Sequence, residues 1–332
     1  MFAPPAEAIL RLFSWISLEC LDDISPVGNV TRLIIRRQLR RRFPPGFFLR
    51  LLHKLPALEH LVYEPWRPWQ DRAKDLQDGC KQALYNPSVA PFTRSIPNLW
   101  LLGFLAYVKQ LLNTLKTVSI FEDFSECLAK VLVESETQRW NHPPMHVKAV
   151  RVADLRIGAA FAARSLDLEQ LSVAYMVNAE DFFDACLLSW TWPRLESLAL
   201  TSHLLHEWRH REGVEALLYQ AGMTALRMPR LRALAIWSSR GDAACAFTYH
   251  TDPDYAYVTW RGTWEMDLSP RVIEVWERVA VALEGCSRRL RVTKQSVEGV
   301  IRCHGDGIHH LALPCPVVAP ESLWQIRREE DT

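Results

Sequence analysis

One five-residue string in this chain matches a catalytic motif: His206-Glu207-Trp208-Arg209-His210, which reads H-E-x-x-H. On an α-helix it would place His206 and His210 one turn apart to bind zinc, with Glu207 as the general base of a metal-dependent hydrolase. Charged residues crowd the string, and Gly213 follows too soon for a long buried helix. Since no third ligand lies in an obvious helix downstream, we favour a solvated helix or loop here, with the hydrolase as the alternative.

A second group of metal-binding residue types lies near the C-terminal end of the sequence. Its members are Cys303, His304, His309, His310 and Cys315. A structural zinc site usually has two ligand pairs at a defined spacing, whereas these pairs are adjacent residues, whose side chains point apart on a strand. We therefore expect neither a metal nor another cofactor, and we expect His309 or His310 to face the core with its hydrogen bond satisfied.

An arginine run at 36–42 could form a nuclear localisation patch or a phosphate-binding surface. We favour a solvated loop whose arginine stems cover apolar surface, because the run is short and lies between a predicted strand and a predicted helix. The whole chain carries 39 Lys and Arg against 38 Asp and Glu, so its charge gives no reason to expect a nucleic-acid or membrane partner.

Thirteen tryptophans are the most unusual part of the composition. Packing of large rings in the core explains most of such a set, while the minority that faces solvent would anchor a protein partner. The candidate partner-binding residues are Trp66, Trp237, Tyr249, Tyr257, Trp260 and Trp264. These are the only site residues that the sequence suggests for a function other than catalysis.

The elements that must position these residues follow from a recurring phrase, a proline or turn and then Leu-x-x-Leu-x-aliphatic. It begins at Leu58, Leu115, Leu168, Leu195 and Leu231. Apolar residues at positions 1, 4 and 6 describe a strand that follows a tight bend, which is the unit of a leucine-rich-repeat solenoid. The phrase predicts strands near 56–62, 115–120, 168–173, 195–200 and 231–236, with further strands at 30–35 and 147–152.

The fold class that follows is α/β, an irregular leucine-rich-repeat-like solenoid that forms a single domain over 1–332. A helical cap is expected at 1–28 and irregular repeats at 29–236, with a helix that starts at Pro44-Pro45 and another over 125–135. An aromatic β-hairpin and a helix that starts at Ser269-Pro270 would cap the array over 237–332. Within this cap we expect a turn at 305–307 and a closing strand at 308–313.

Composition restricts the class of protein further. Eight scattered cysteines include no Cys-x-x-Cys pair, which favours reduced thiols and an intracellular protein of the cytoplasm or nucleus. The N-terminal stretch lacks the basic start of a secretory signal, and the longest apolar run, 99–108, is too short to span a bilayer. An intracellular, non-enzymatic protein fits these features.

Several strings resemble a family, the F-box-associated leucine-rich-repeat-like proteins of filamentous fungi, whose C-terminal region has no known function. The strings are DISPV at 23–27, RRQ at 36–38, LVYEPWR at 61–67, TLK at 114–116, IFEDF at 120–124, MPRL at 228–231, IW at 236–237 and GIHHL at 307–311. The resemblance covers most of 20–325 and implies a substrate receptor of a cullin-RING ubiquitin ligase. In such a receptor an F-box docks on Skp1 while the solenoid holds an as yet unnamed target protein.

The chain departs from that pattern in two places. The first strand is expected near residue 30, which leaves no room for an F-box before it, so direct docking on Skp1 would need a longer form of the protein. Residues 86–110 interrupt the repeats, and we interpret them as a lineage-specific insertion or a gene-model artefact such as a retained intron. Degeneration into a paralogue without a ligase partner is a third reading of the function.

Overall fold

The computed structural model describes residues 16, 21–41, 43–66, 108–125, 155–206, 208–282 and 288–329. Within them nine strands form one sheet, accompanied by seven α-helices. The strands are β1 (Arg32–Ile35), β2 (His60–Tyr63), β3 (Thr117–Phe121), β4 (Gln170–Asn178), β5 (Ser197–Thr201), β6 (Ala233–Arg240), β7 (Ala243–Thr251), β8 (Tyr255–Gly262) and β9 (Arg289–Ser296). The helices are α1 (Pro45–His53), α2 (Leu155–Arg164), α3 (Ala179–Asp184), α4 (Arg211–Ala225), α5 (Pro270–Ala282), α6 (His304–Leu311) and α7 (Pro320–Glu329).

The order of the strands across the sheet is their order along the chain. Strands β1 to β6 are parallel, β7 is antiparallel to both β6 and β8, and β9 is parallel to β8. The fold is therefore a mixed α/β arrangement around an open sheet, and β1 and β9 are its end strands in the described part of the chain. The strands expected from the recurring phrase are confirmed as β2 to β6.

The first leucine of each phrase lies just before its strand and is buried. Leu58, Leu115, Leu168, Leu195 and Leu231 are each at most 1% exposed. A tight turn precedes the strand in the phrases that begin at Leu58 and Leu231. The backbone N–H of Leu58 donates to Leu55 O at 3.1 Å, and that of Leu231 donates to Met228 O at 3.0 Å. The phrase therefore codes for a turn, a buried leucine and a parallel strand in succession.

One face of the sheet, the first face, carries the aliphatic residues of the phrase and packs against helices α1 to α5. The rings of Phe48 on α1 and Trp276 on α5 are buried in this core, and Trp276 Nε1 donates to Leu218 O at 3.1 Å. Burial of each large apolar side chain contributes roughly 1.5–3 kcal/mol. This face supplies most of the stabilisation of the fold.

The opposite face, the second face, is covered in its middle by the C-terminal segment 297–329. Ala199, Ala235 and Trp237 of the sheet form a second core with Ile308 of α6 and Ile326 of α7. The sequence-based expectation of a turn at 305–307 and a closing strand at 308–313 is wrong, because these residues form helix α6 and its end. A Cβ on Gly307 would lie 2.0 Å from Ser239 Oγ, so this glycine lets the helix approach the sheet rather than form a turn.

The aromatic hairpin is confirmed as β7 and β8. Its turn is fixed by Asp252, whose Oδ1 accepts hydrogen bonds from the backbone N–H groups of Asp254 at 2.8 Å and Tyr255 at 2.6 Å. Helix α5 is confirmed as well, with its first turn bonded to Ser269 O. Two features were not expected: β6 continues into its own hairpin at Gly241, where φ is +57°, and β9 extends the sheet.

Some expectations lie outside the described residues, wholly or in large part. These are the helical cap at 1–28, the insertion at 86–110, the helix at 125–135 and the strand at 147–152. None of the helices in the described ranges is both long and apolar enough to cross a bilayer.

Helix α6 ends at a residue in a costly conformation. Ala312 has φ +45° and ψ +55°, the left-handed region that favours glycine, and it is exposed. Ala312→Gly should therefore raise the free energy of unfolding by about 0.5–1 kcal/mol in urea denaturation. Ala216→Gly, on the exposed side of α4, is the control and should lower it by about 1 kcal/mol. A loss of stability in Ala312→Gly would contradict this reading of the helix end.

Candidate functional site

A row of exposed and half-buried side chains crosses the second face from end to end. The register places one residue of each strand in this row: Arg32, His60, Thr117, Gln170, Ser197, Ala233, His250, Tyr257 and Arg291. All nine are exposed or half-buried. At about 4.8 Å per strand, eight spacings give a surface roughly 38 Å long. We call this set the open row.

The open row is mostly polar and lies at the end of the sheet where the parallel strands begin. Charged residues precede several of these strands, and Lys116 Nζ lies 2.9 Å from Glu59 Oε1 among them. The C-terminal segment touches the middle of the row, where Ser197 makes a hydrogen bond with the Cys315 thiol and Ala233 packs against the second core. Both residues nevertheless remain half-buried, so the row keeps exposed surface where the rest of the second face is closed in its middle.

The C-terminal segment is held in place by buried polar groups at the opposite end of the strands, where β1, β2 and β3 finish. Asp123, which follows β3, accepts a hydrogen bond from Arg37 Nε, and its Oδ1 lies 3.0 Å from His304 Nε2 at the start of α6. Arg37, Asp123 and His304 are at most 4% exposed. We call Arg37, Glu64, Asp123 and His304 the latch.

Glu64 connects the latch to α7. Its Oε1 accepts the backbone N–H of Ala319 at 2.8 Å, and its Oε2 accepts both the Ser322 hydroxyl and the Arg37 backbone N–H. Every one of these groups is buried or half-buried. Because a buried carboxylate without partners is costly, the position of α7 on the sheet is tightly specified.

Arg37 reaches further along α7. Its Nη2 donates to Glu329 Oε2 at 2.7 Å, its guanidinium lies 4.6 Å from the centre of the Trp66 ring, and its carbonyl accepts Trp66 Nε1 at 2.6 Å. The expectation that the arginine run is a solvated loop is therefore wrong for Arg37, which is 2% exposed. A single buried arginine within an arginine run has no distinctive sequence signal, because its acidic partners lie far away in the chain.

The latch carboxylate should make the fold sensitive to acid. Burial by itself would raise the pKa of Asp123, but the hydrogen bond from His304 and the charge of Arg37 outweigh it and hold that pKa below its ordinary value. A carboxyl with a lowered folded-state pKa stabilises the fold above its unfolded pKa of about 3.9 and loses that contribution as the pH falls through the folded pKa.

We therefore expect the free energy of unfolding to fall as the pH drops below about 4, with the C-terminal segment loosened first. Tryptophan fluorescence during an acid titration measures this, and Asp123→Asn should show a shallower acid dependence than the wild type. An identical acid dependence in the two proteins would contradict the role of Asp123.

The aromatic residues predicted to anchor a partner divide into two groups. Trp66, Trp237, Tyr249 and Trp260 are at most 1% exposed, so in this structure they are core residues rather than surface anchors. Tyr257 and Trp264 are half-buried. Trp264 Nε1 donates to Leu205 O at 3.0 Å, which leaves Tyr257 as the predicted residue that belongs to the open row. The large rings are buried because their apolar area stabilises the two cores.

The two histidine motifs have separate outcomes. His206 ends one 3-10 helix (His203–His206) and His210 ends another (Trp208–His210), so the string does not form one α-helix, and Glu207 lies outside the described residues. Near the C-terminus, the expectation that His309 or His310 faces the core is wrong, because His309 is exposed and His310 is only half-buried. His304 instead is the buried histidine with its hydrogen bond satisfied. In the described part of the chain, no three His, Cys, Asp or Glu side chains are grouped to hold a metal ion.

The thiol of Cys315 has a structural role, because it packs in the second core. It is 7% exposed in the second core, and burial raises its pKa to about 11. Asp306 in the first turn of α6 behaves in the opposite way: burial would raise its pKa, but Arg327 and Arg302 bind the carboxylate and lower it. Both residues hold the C-terminal segment in its place.

The comparisons with known proteins give one match. The model of a family of unknown function, DUF6546, matches residues 110–319, which is well over half of the chain. No curated protein and no solved structure matches it. The matched span runs from just before β3 to just before α7, so it contains Asp123 and His304, whereas Arg37 and Glu64 lie before it.

Proposed function

The chain belongs to this family of unknown function, and from that premise we propose that it is a non-enzymatic protein–protein recognition scaffold. In this proposal the sheet is an irregular leucine-rich-repeat-like solenoid, and the open row is the surface that contacts a target protein. No resident cofactor is part of the proposal. The observation that carries it is the row itself, a mostly polar strip across nine strands in which every member keeps exposed surface.

The solenoid interpretation is supported by the way each unit contacts its neighbours. Six consecutive parallel strands lie side by side in chain order, and each strand from β2 to β6 begins after a buried leucine. Arrays of this kind bind through broad surfaces to which each repeat contributes one or two side chains. Affinity at such surfaces is concentrated in a few aromatic and arginine residues, a description that fits Tyr257 and Arg291.

The resemblance to fungal F-box-associated proteins gives the scaffold a cellular role in this proposal. It would hold a substrate for a ubiquitin ligase in the cytoplasm or nucleus, with Skp1 reached through an F-box in a longer form. Mixing the purified chain with purified Skp1 tests the direct version. A stable complex on gel filtration supports it, and its absence rejects direct docking by these residues.

A charge introduced into the open row tests recognition itself. Gln170→Arg places a bulky cation in the middle of the row, and Ala216→Arg places the same side chain on α4, which packs on the first face. We expect proteins that co-purify with the wild-type chain to be reduced about tenfold or more by Gln170→Arg, as for a central interface residue, and to be unaffected by Ala216→Arg. Equal recovery with both variants would contradict the placement of the surface.

A further inference from the structure

In the described part of the chain β9 is an end strand, and its outer edge, which we call the free edge, carries hydrogen-bonding groups that no described strand pairs with. The backbone N–H of Val297 donates to Gly262 O of β8 at 3.0 Å, and the parallel register pairs Gly262 with Ser296. In a parallel pair the residues of one strand alternate between pointing both groups at the neighbour and pointing both away. The even-numbered residues of β9 (Leu290, Val292, Lys294 and Ser296) therefore direct N–H and C=O outward, away from β8.

The side chains of β9 give this edge a positive charge. The strand reads RLRVTKQS and contains no acidic residue, and its register places Arg289 and Arg291 on the second face. These two residues are both exposed, and being two positions apart on a strand they are separated by about 6.6 Å. Lys294, on the other face, already forms an ion pair with Asp267. The two arginines are therefore the cations available beside the free edge.

The side chain of Arg291 is oriented by its aromatic neighbours. Its guanidinium carbon lies 3.6 Å from the centre of the Tyr255 ring and 6.0 Å from that of Tyr257. His250 stacks on Tyr257 at 4.7 Å, and Tyr257 donates its hydroxyl to Asp252 Oδ2 at 2.9 Å. Among the described residues the guanidinium groups of Arg289 and Arg291 make no hydrogen bond and no salt bridge. An oriented guanidinium with free N–H groups loses little entropy when it binds a carboxylate bidentately.

We propose that β9 binds an extended acidic segment of a partner protein, which adds a tenth strand to the sheet and places carboxylates at alternate positions opposite Arg289 and Arg291. The proposal rests on the proposed recognition function and names the chemistry of the partner at one end of the open row. Main-chain hydrogen bonds to the edge supply affinity, and the spacing of the arginines supplies specificity for an acidic-x-acidic pattern.

The same observations disfavour two other occupants. A second copy of β9 would bring arginine and lysine against arginine and lysine, and like charges across strands are destabilising. A single-stranded nucleic acid would need open aromatic faces for base stacking. The rings of Tyr255 and Tyr257 are instead occupied by Arg291 and His250.

Fluorescence anisotropy with short labelled peptides tests the proposal on the whole chain. The probe is an eight-residue peptide of alternating Glu and Val. Its control, the block peptide, has the same composition in two-residue blocks (Glu-Glu-Val-Val, twice), so that no two Glu lie two positions apart. Val292→Pro removes one outward N–H and leaves every bond to β8 intact, which is tolerated on an end strand. The double variant Arg289→Gln with Arg291→Gln removes the charges, and Gln170→Arg is the control in the middle of the open row.

We expect the alternating peptide to bind about tenfold more tightly than the block peptide, and to lose about tenfold or more in affinity with Val292→Pro and with the arginine variant. Gln170→Arg should not change the affinity for the alternating peptide. Equal binding of both peptides, tighter binding of labelled oligothymidine, dimerisation without peptide, or full binding by Val292→Pro would each overturn the proposal. If no peptide binds while Gln170→Arg still abolishes capture of cellular proteins, the edge inference fails and the open-row function survives.

Discussion

Asp123→Asn should lower the free energy of unfolding by about 3–5 kcal/mol, because it leaves the buried Arg37 guanidinium without its main counter-charge. Asp123 is completely buried, and Arg37 keeps only the half-buried Glu329 as an acidic partner. Urea denaturation followed by fluorescence measures the change. The same substitution weakens the hold on α6, since His304 loses a carboxylate partner.

A matched control separates the buried pair from an exposed one. Asp267→Asn removes a carboxylate whose side chain is 74% exposed and pairs with Lys294 at the surface. It should leave the free energy of unfolding unchanged within error, since exposed pairs contribute little. Arg37→Met combined with Asp123→Asn should recover part of the loss, because no charge is then buried alone. If Asp123→Asn is as stable as Asp267→Asn, the latch does not hold the fold.

Gly307→Ala should lower the free energy of unfolding by about 1–3 kcal/mol, the usual cost of overpacking. The new Cβ would lie 2.0 Å from Ser239 Oγ and 2.9 Å from Ala244 Cβ, so α6 must move away from the sheet. Hydrogen exchange should then become faster across 297–329 than in β1 to β6. Gly46→Ala is the control, because a Cβ on Gly46 of α1 meets nothing within 4 Å, and it should be neutral or slightly stabilising. Equal exchange in the C-terminal segment of both variants would contradict this account of α6.

The strands could be predicted because the residues that specify each strand lie close together in the sequence. The leucine of each phrase, such as Leu198 in β5, is specified by its neighbours in sequence, and the turn before it has a short-range signal. The hairpin was predictable for the same reason, since Asp252 bonds to the two residues that follow the turn. The helix start at Ser269 is a further local signal.

The covering of the second face could not be predicted, because it depends on contacts between residues that are far apart in the sequence. Helix α6 contains two glycines and three histidines in eight residues and has little intrinsic helical preference, so its packing against the sheet decides its structure. The partners in the latch are separated by 86 residues for Arg37 and Asp123 and by 181 for Asp123 and His304. No window of sequence contains both members of either pair.

The covering also changes the candidate site. A sequence that predicts a bare solenoid suggests an entire binding face with tryptophan anchors, whereas Trp237 instead packs under α6 and α7 in the second core. The surface that remains is the open row and the edge of β9. This is a narrower and more polar site, with Tyr257 and Arg291 in place of buried rings.

Site-specific photo-crosslinking in cells shows whether the open row is the recognition surface. A benzophenone amino acid is placed at Gln170 in the open row or at Ala216 on α4, both of which are exposed. We expect a discrete crosslinked species from position 170 that is absent from position 216. A species that forms at position 216 and not at position 170 would contradict it.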